Sequence, residues 1–191
     1  MATSRSDIIL AENSRDISTL NMAGSSSDPT LRALALGSLH RIGELTTERI
    51  AAALTDQDRD VRVRGIELAV NNSAVPLDPH LSDSDDLVVE TAAWALGERL
   101  DDAPHIIDAL AQTATGHDIS ICREAAIAAL GAIGSPNGLP AILAGLDDRA
   151  PVRRRAVLAL APFDTPEVTD ALMRATEDRD RQVRQAAEDL L

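Results

Sequence analysis

The sequence predicts an all-α chain of about five two-helix repeats and a closing helix, and three observations carry that prediction. The pairs Leu31-Arg32, Val61-Arg62, Val88-Val89, Cys122-Arg123, Val152-Arg153 and Val183-Arg184 recur with first members 30, 27, 34, 30 and 31 residues apart. Each pair follows an aspartate by three or four positions, namely Asp28, Asp58, Asp85, Asp118, Asp148 and Asp180. Ala and Leu supply 32 and 24 of the 191 residues, while the aromatics are only Trp94 and Phe163. Such a core must be built from small and branched aliphatic side chains on closely approaching helices.

Residues 1–27 precede the repeats. Ile8 to Met22 form one weakly amphipathic stretch, and Gly24-Ser25-Ser26-Ser27 follows it. The expectation is an imperfect capping helix, a flexible joint and partial disorder at the extreme N-terminus. The repeat domain is expected over residues 28–191.

Each aspartate-led turn opens a first helix whose apolar residues recur at helical spacing, as Cys122, Ala126, Leu130 and Ile133 do on one face. Gly43, Gly134-Ser135-Pro136 and Asp164-Thr165-Pro166 close such runs. Second helices are expected over Thr47 to Leu54, Pro104 to Ala114, Asn137 to Leu146 and Pro166 to Ala175, with Asp102 and Thr165 as N-caps and Pro104 and Pro166 in the first turn. Between Asn71 and Asp83 the chain has Pro76 and Pro79 and little helical periodicity, so the second helix of repeat two should be short or missing. The closing helix is expected over Val183 to Leu191.

The repeat resembles the HEAT-like repeats, in particular the short bacterial type first recognised in phycobilin lyases. The likeness covers roughly residues 28 to 191. Its clearest stretch is Cys122-Arg-Glu-Ala-Ala-Ile-Ala-Ala-Leu-Gly-Ala-Ile-Gly134, close to the first-helix consensus. The resemblance implies a right-handed α-solenoid and a bacterial protein. It also brings candidate activities: phycobilin lyase, iron-dependent deoxyhypusine hydroxylase and DNA alkylation glycosylase.

Charge narrows those activities. The formal net charge is −13, and all 18 cations are arginine. Residues 1–84 carry 8 arginines against 12 carboxylates, residues 85–118 carry 1 against 8, and residues 119–191 carry 9 against 11, so the third repeat holds −7 of the −13. Such a chain repels phosphate backbones and anionic lipid, which excludes a general nucleic-acid or membrane-surface role and favours a basic or mixed protein partner. The short apolar run near the N-terminus and the lack of any long apolar stretch point to the cytoplasm.

Candidate sites follow from the same alignment. The aspartates and arginines Asp28, Arg32, Asp58, Arg62, Asp118, Arg123, Asp148, Arg153, Asp180 and Arg184 are read as a structural ladder, each aspartate capping a helix and each arginine reaching a neighbouring turn. Arg149, Arg153, Arg154 and Arg155 form the one basic cluster, too small against the overall charge to suggest nucleic-acid binding. Asp101, Asp102, His105 and Asp108 have helical spacing compatible with metal binding, but acidic residues at a helix start complement its dipole, and no metal or cofactor is expected. His40, His80, His105 and His117 are followed by Arg, Leu, Ile and Asp, so the His-Glu pairs of the hydroxylase are missing. Trp94 and Glu98 share the one-turn spacing of the glycosylases, without their basic groove. A lyase site would want more aromatic surface than two rings offer. Cys122 reads as a small core hydrophobe.

Trp94 stands where the other repeats place Gly37, Glu67, Ala128, Leu158 and Asp189, which is not a core position. The same repeat has Val89 in place of the ladder arginine. Trp94, Glu90, Glu98, Asp101, Asp102, His105 and Asp108 are therefore the expected partner-binding residues, since exposed Trp is enriched at binding hot spots. The function expected is a non-enzymatic adaptor or scaffold, with a lyase-like enzyme and a glycosylase-like nucleic-acid binder as the alternatives.

Overall fold

The computed structural model describes residues 4–191, which form twelve α-helices and three short 3-10 turns with no strand. The chain divides between Pro76 and Leu77 into two compact units. The start at residues 1–3, where disorder is expected, lies outside the described residues.

The first unit holds α1 (Arg5–Ser14), α2 (Ile17–Gly24), α3 (Pro29–Arg41), α4 (Thr47–Leu54) and α5 (Arg59–Ala69). The stretch expected as one capping helix is two. Arg15 adopts a left-handed conformation at φ 55°, which ends α1, and the Asp16 carboxylate then accepts the Thr19 N–H to start α2. Breaking the helix lets both pieces bury an apolar edge: Ile8, Ala11, Leu20 and Ala23 pack with Leu31, Ala35 and Leu39 of α3. Along Gly24–Ser27, the expected joint, Arg32 Nη1 donates to the carbonyls of Ser26 and Ser27 at 2.9 and 3.2 Å.

The second unit begins with a 3-10 turn at Asp78–Ser82, all that stands in place of a second helix in repeat two. It continues with α6 (Asp86–Arg99), α7 (Pro104–Gly116), α8 (Ser120–Ile133), α9 (Leu139–Ala144), α10 (Ala150–Ala159), α11 (Pro166–Ala175) and α12 (Arg181–Glu188). The first helices α6, α8, α10 and α12 pack side by side in that order, and α7 and α9 lie against α8. Small residues set the spacing. A Cβ built on Gly131 would fall 2.7 Å from the Ala159 Cα, and one on Gly97 would fall 2.9 Å from the Ala129 Cα, so these backbones approach as closely as glycine allows. In α9, Gly138 and Gly145 flank only six helical residues, and 3-10 turns complete the expected Asn137 to Leu146 segment.

One expected cap moves. The α6–α7 turn reverses at Leu100, again left-handed at φ 54°, and the N-cap of α7 is Ala103. Asp102 does not cap; Asp101 accepts the Ala103 N–H at 3.0 Å, because the left-handed residue starts the turn one position earlier. Thr165 caps α11 through the Val168 N–H.

Candidate partner-binding site

On α6 the residues Ala92, Ala93, Ala95 and Leu96 are buried, and that leaves Glu90, Trp94 and Glu98 one above another on the outward face. Trp94 is 46% exposed. Beside it a groove of about 380 Å³ runs between α6 and α8. Gly97, Ala125, Ala128, Ala129 and Ala132 line its floor and far side, Ile121 and Glu124 join from α8, and Arg155 reaches in from α10. The close approach of Gly97 to Ala129 makes the floor shallow in side chains, so the indole stands proud of it.

The groove is acidic but unevenly so. Arg155 Nη2 lies 3.4 Å from Glu124 Oε1, partly neutralising that wall. Glu90 and Glu98 make no ion pair among the described residues. Of the residues predicted from sequence, Trp94, Glu90 and Glu98 lie together here; Ile121, Glu124 and Arg155 were not foreseen, since they belong to the next two repeats. The signal for Glu124 was present: it follows Cys122 by two positions, as Glu90 follows Val88.

The remaining predicted residues lie elsewhere. Asp101, Asp102, His105 and Asp108 are all exposed along the α6–α7 turn and α7. Asp108 lines a separate depression with Gln112, Thr115 and Pro140. The acidic third repeat thus presents two surfaces.

The repeated arginines make a bidentate contact to a carboxylate about 25 residues onward: Arg32 to Asp56, Arg123 to Asp148 and Arg153 to Asp178, with both N···O distances in each pair between 2.6 and 2.8 Å. Asp56 and Asp178, which the sequence reading did not single out, are receivers together with Asp148, while Asp28, Asp58 and Asp180 cap α3, α5 and α12. Contrary to expectation Asp118 and Asp148 cap no helix, because the N-cap positions of α8 and α10 fall at Ile119 and Arg149, without a side-chain cap. The guanidinium hydrogen bonds hold the Asp56, Asp148 and Asp178 carboxyls below the usual carboxylate range. Arg62 and Arg184 each donate to a carbonyl six residues back, of Asp56 and Asp178 respectively. The Asp118 carbonyl accepts from Arg123.

In repeat three the arginine is Val89, fully buried, and the position of the receiving aspartate is His117. His117 keeps the turn role of that aspartate: its Nδ1 accepts the Ile119 N–H at 3.2 Å, as Asp56 accepts from Asp58 and Asp178 from Asp180. Asp86, His117 and Cys122 bring potential ligand atoms within 4.8 Å of one another. The other ring nitrogen of His117, Nε2, lies 3.9 Å from Asp86 Oδ1. The thiol donates to the Asp86 carbonyl at 3.3 Å, and burial pushes its pKa up to about 11.

Among known proteins, residues 75–161 match the family model for HEAT repeats and residues 152–178 match that for the PBS lyase HEAT-like repeat. No curated protein sequence matches the chain. Among solved structures, a designed armadillo repeat protein is similar at a TM-score of 0.55 and 16% identity, over 96% of this chain and 97% of that one. At that identity the likeness concerns the fold alone. No helix among the described residues is long and apolar enough to cross a membrane.

Proposed function

We propose that this chain, a HEAT-like repeat protein, acts as a non-enzymatic adaptor or scaffold that binds another protein through its acidic third repeat. The observation that carries the reading is Trp94: a large ring, 46% exposed, on the rim of an apolar-floored groove walled by carboxylates. Stacked repeats offer an extended, preorganised surface, and a partner docking there orders few side chains on the repeat side. Aromatic anchors beside a groove are the usual centres of binding energy.

The test is recovery of a partner from native lysate, followed by binding of the purified pair. Trp94→Ala should reduce affinity at least tenfold, whereas Asp108→Asn on α7 should leave it within twofold. Equal recovery by wild type and Trp94→Ala, with both folded by circular dichroism, rejects the third repeat as the contact. A second reading, an enzyme of phycobilin-lyase type, draws on the match over residues 152–178. That match spans α10 and α11 and leaves out α6 and α8. Visible absorbance changes on titrating a linear tetrapyrrole would favour the enzyme; an unchanged spectrum favours the adaptor.

A further inference from the structure

We infer that the occupant of the α6–α8 groove is an arginine side chain of the partner protein, its guanidinium lying on the Trp94 indole between Glu90 and Glu98. This rests on the adaptor reading and adds what that reading leaves open, the chemistry of the bound residue. Four features of the groove converge on it.

Helical geometry comes first. Glu90 and Glu98 are eight residues apart, or about 12 Å along the axis, with Trp94 midway. Each glutamate therefore springs from the helix about 6 Å along the axis from Trp94, one turn above or below, so that either flexible stem can extend beside the indole. The ring itself adds attraction for a cation, greatest for Trp among the aromatic residues.

The wall across the groove is different. Glu124 is already faced by Arg155 at 3.4 Å, so the uncompensated charge lies on the α6 side with the ring. An incoming carboxylate would meet two unpaired glutamates, and a purely apolar side chain would cover them at a desolvation cost. A cationic side chain with an apolar stem satisfies both halves of the site: the stem lies on Ala125, Ala128 and Ala129, and the charge lies at Glu90 and Glu98.

Arginine is preferred to lysine on two grounds. A planar guanidinium stacks on an indole while donating along its edge to carboxylates, which a compact ammonium cannot do. The chain also uses arginine for all 18 of its cations, and a partner from the same coding background would carry its positive charge in the same way.

The chain reports on this site directly. Trp94 is the sole tryptophan and there is no tyrosine, so emission excited at the indole band comes from the groove alone. The probe is a pentapeptide, blocked at both ends, with arginine at its centre and glycine or alanine elsewhere; its twin carries citrulline, which keeps the shape and removes the charge. Titrated into the full chain at low salt, the arginine peptide should change Trp94 emission with a midpoint in the millimolar range. The citrulline peptide should bind at least about fivefold more weakly. Glu90→Gln/Glu98→Gln, which removes one half-buried and one exposed charge, neither of them in an ion pair among the described residues, should weaken the arginine peptide about threefold or more while leaving the urea midpoint unchanged.

Citrulline binding as well as arginine, no change in emission with either peptide, or equal binding by wild type and the double variant each overturns the inference. The adaptor reading stands or falls separately, on whether the purified partner loses affinity for Trp94→Ala. A partner that depends on Trp94, with no preference for the arginine peptide, would retain the adaptor and discard the arginine.

Discussion

Arg153 holds Asp178 through two parallel hydrogen bonds, Nε to Oδ2 at 2.8 Å and Nη2 to Oδ1 at 2.7 Å, with the two side chains only 6% and 14% exposed. The third guanidinium nitrogen donates to the Asp148 carbonyl at 2.8 Å, at the start of the arginine's own helix. One side chain therefore closes a turn and fastens it to the next. Asp178 uses Oδ1 again, for the Asp180 N–H at 2.7 Å, and so links the pair to the cap of α12.

Breaking this pair from one side leaves a charge buried without a partner. Arg153→Ala should cost about 3 kcal/mol by urea denaturation. Arg41→Ala is the contrast: its partner is Glu12 at 2.6 Å, but its own side chain is 52% exposed, and the expected cost is below about 1 kcal/mol. Equal losses at the two sites would show that burial does not set the worth of these pairs.

The same pairs make stability depend on acid. Asp56, Asp148 and Asp178 ionise at lower pH in the folded chain than in the unfolded one, chiefly through the arginine hydrogen bonds. Glu12, beside Arg41 and Ser38, falls to about 2. A depressed folded pKa contributes stability that is full above the unfolded value, about 4, and drains as pH falls through the folded values. The urea midpoint should therefore hold from pH 7 to about pH 5 and decline below pH 4. In Asp178→Asn the midpoint at pH 7 should be lower and the decline in acid shallower.

Gly131→Ala should destabilise the second unit in spite of the better helix propensity of alanine. The added methyl would lie 2.6 Å from the Ala159 Cβ and 2.7 Å from its Cα, so backbone must move. Overpacking of about 1–3 kcal/mol outweighs the gain of up to about 1 kcal/mol from replacing glycine in a helix. Gly24→Ala, with nothing within 4 Å, is the matched control and should be neutral or slightly stabilising. Thermal melts of the two variants distinguish the contributions.

Cys122 should be inert in the native chain. It is fully buried, and its pKa is raised to about 11, so thiolate is scarce at neutral pH. Iodoacetamide at pH 8 should label it slowly in buffer and rapidly in urea, with the native rate tracking global opening. Fast native labelling would show that the α6–α8 seam opens locally.

Most of the helical plan was legible from the residues. The period of about 30, the turn prolines and the apolar stripes placed the α11 segment at Pro166–Ala175 and left repeat two without a full second helix. Helix N-caps at Asp28, Asp58, Asp85, Thr165 and Asp180 are local: a side-chain oxygen meets an N–H two or three residues on. The exposed setting of Trp94 followed from what its position tolerates in the other repeats.

The sequence by itself determined these local matters because a helix spaces its residues by fixed rise and rotation. Tertiary structure alone decided that Asp56 and Asp178, two residues before the capping aspartates, receive the arginines, since the paired charges lie 24 or 25 positions apart along the chain. It also decided that Leu100 takes the left-handed turn and relieves Asp102 of capping. The third repeat's charge lies on two surfaces, with Glu90 and Glu98 facing Ile121, Glu124 and Arg155 while Asp108 faces Pro140. Which side chains from separate repeats share a groove depends on how closely the helices approach. Here that depends on the absence of a single carbon at Gly97 against Ala129.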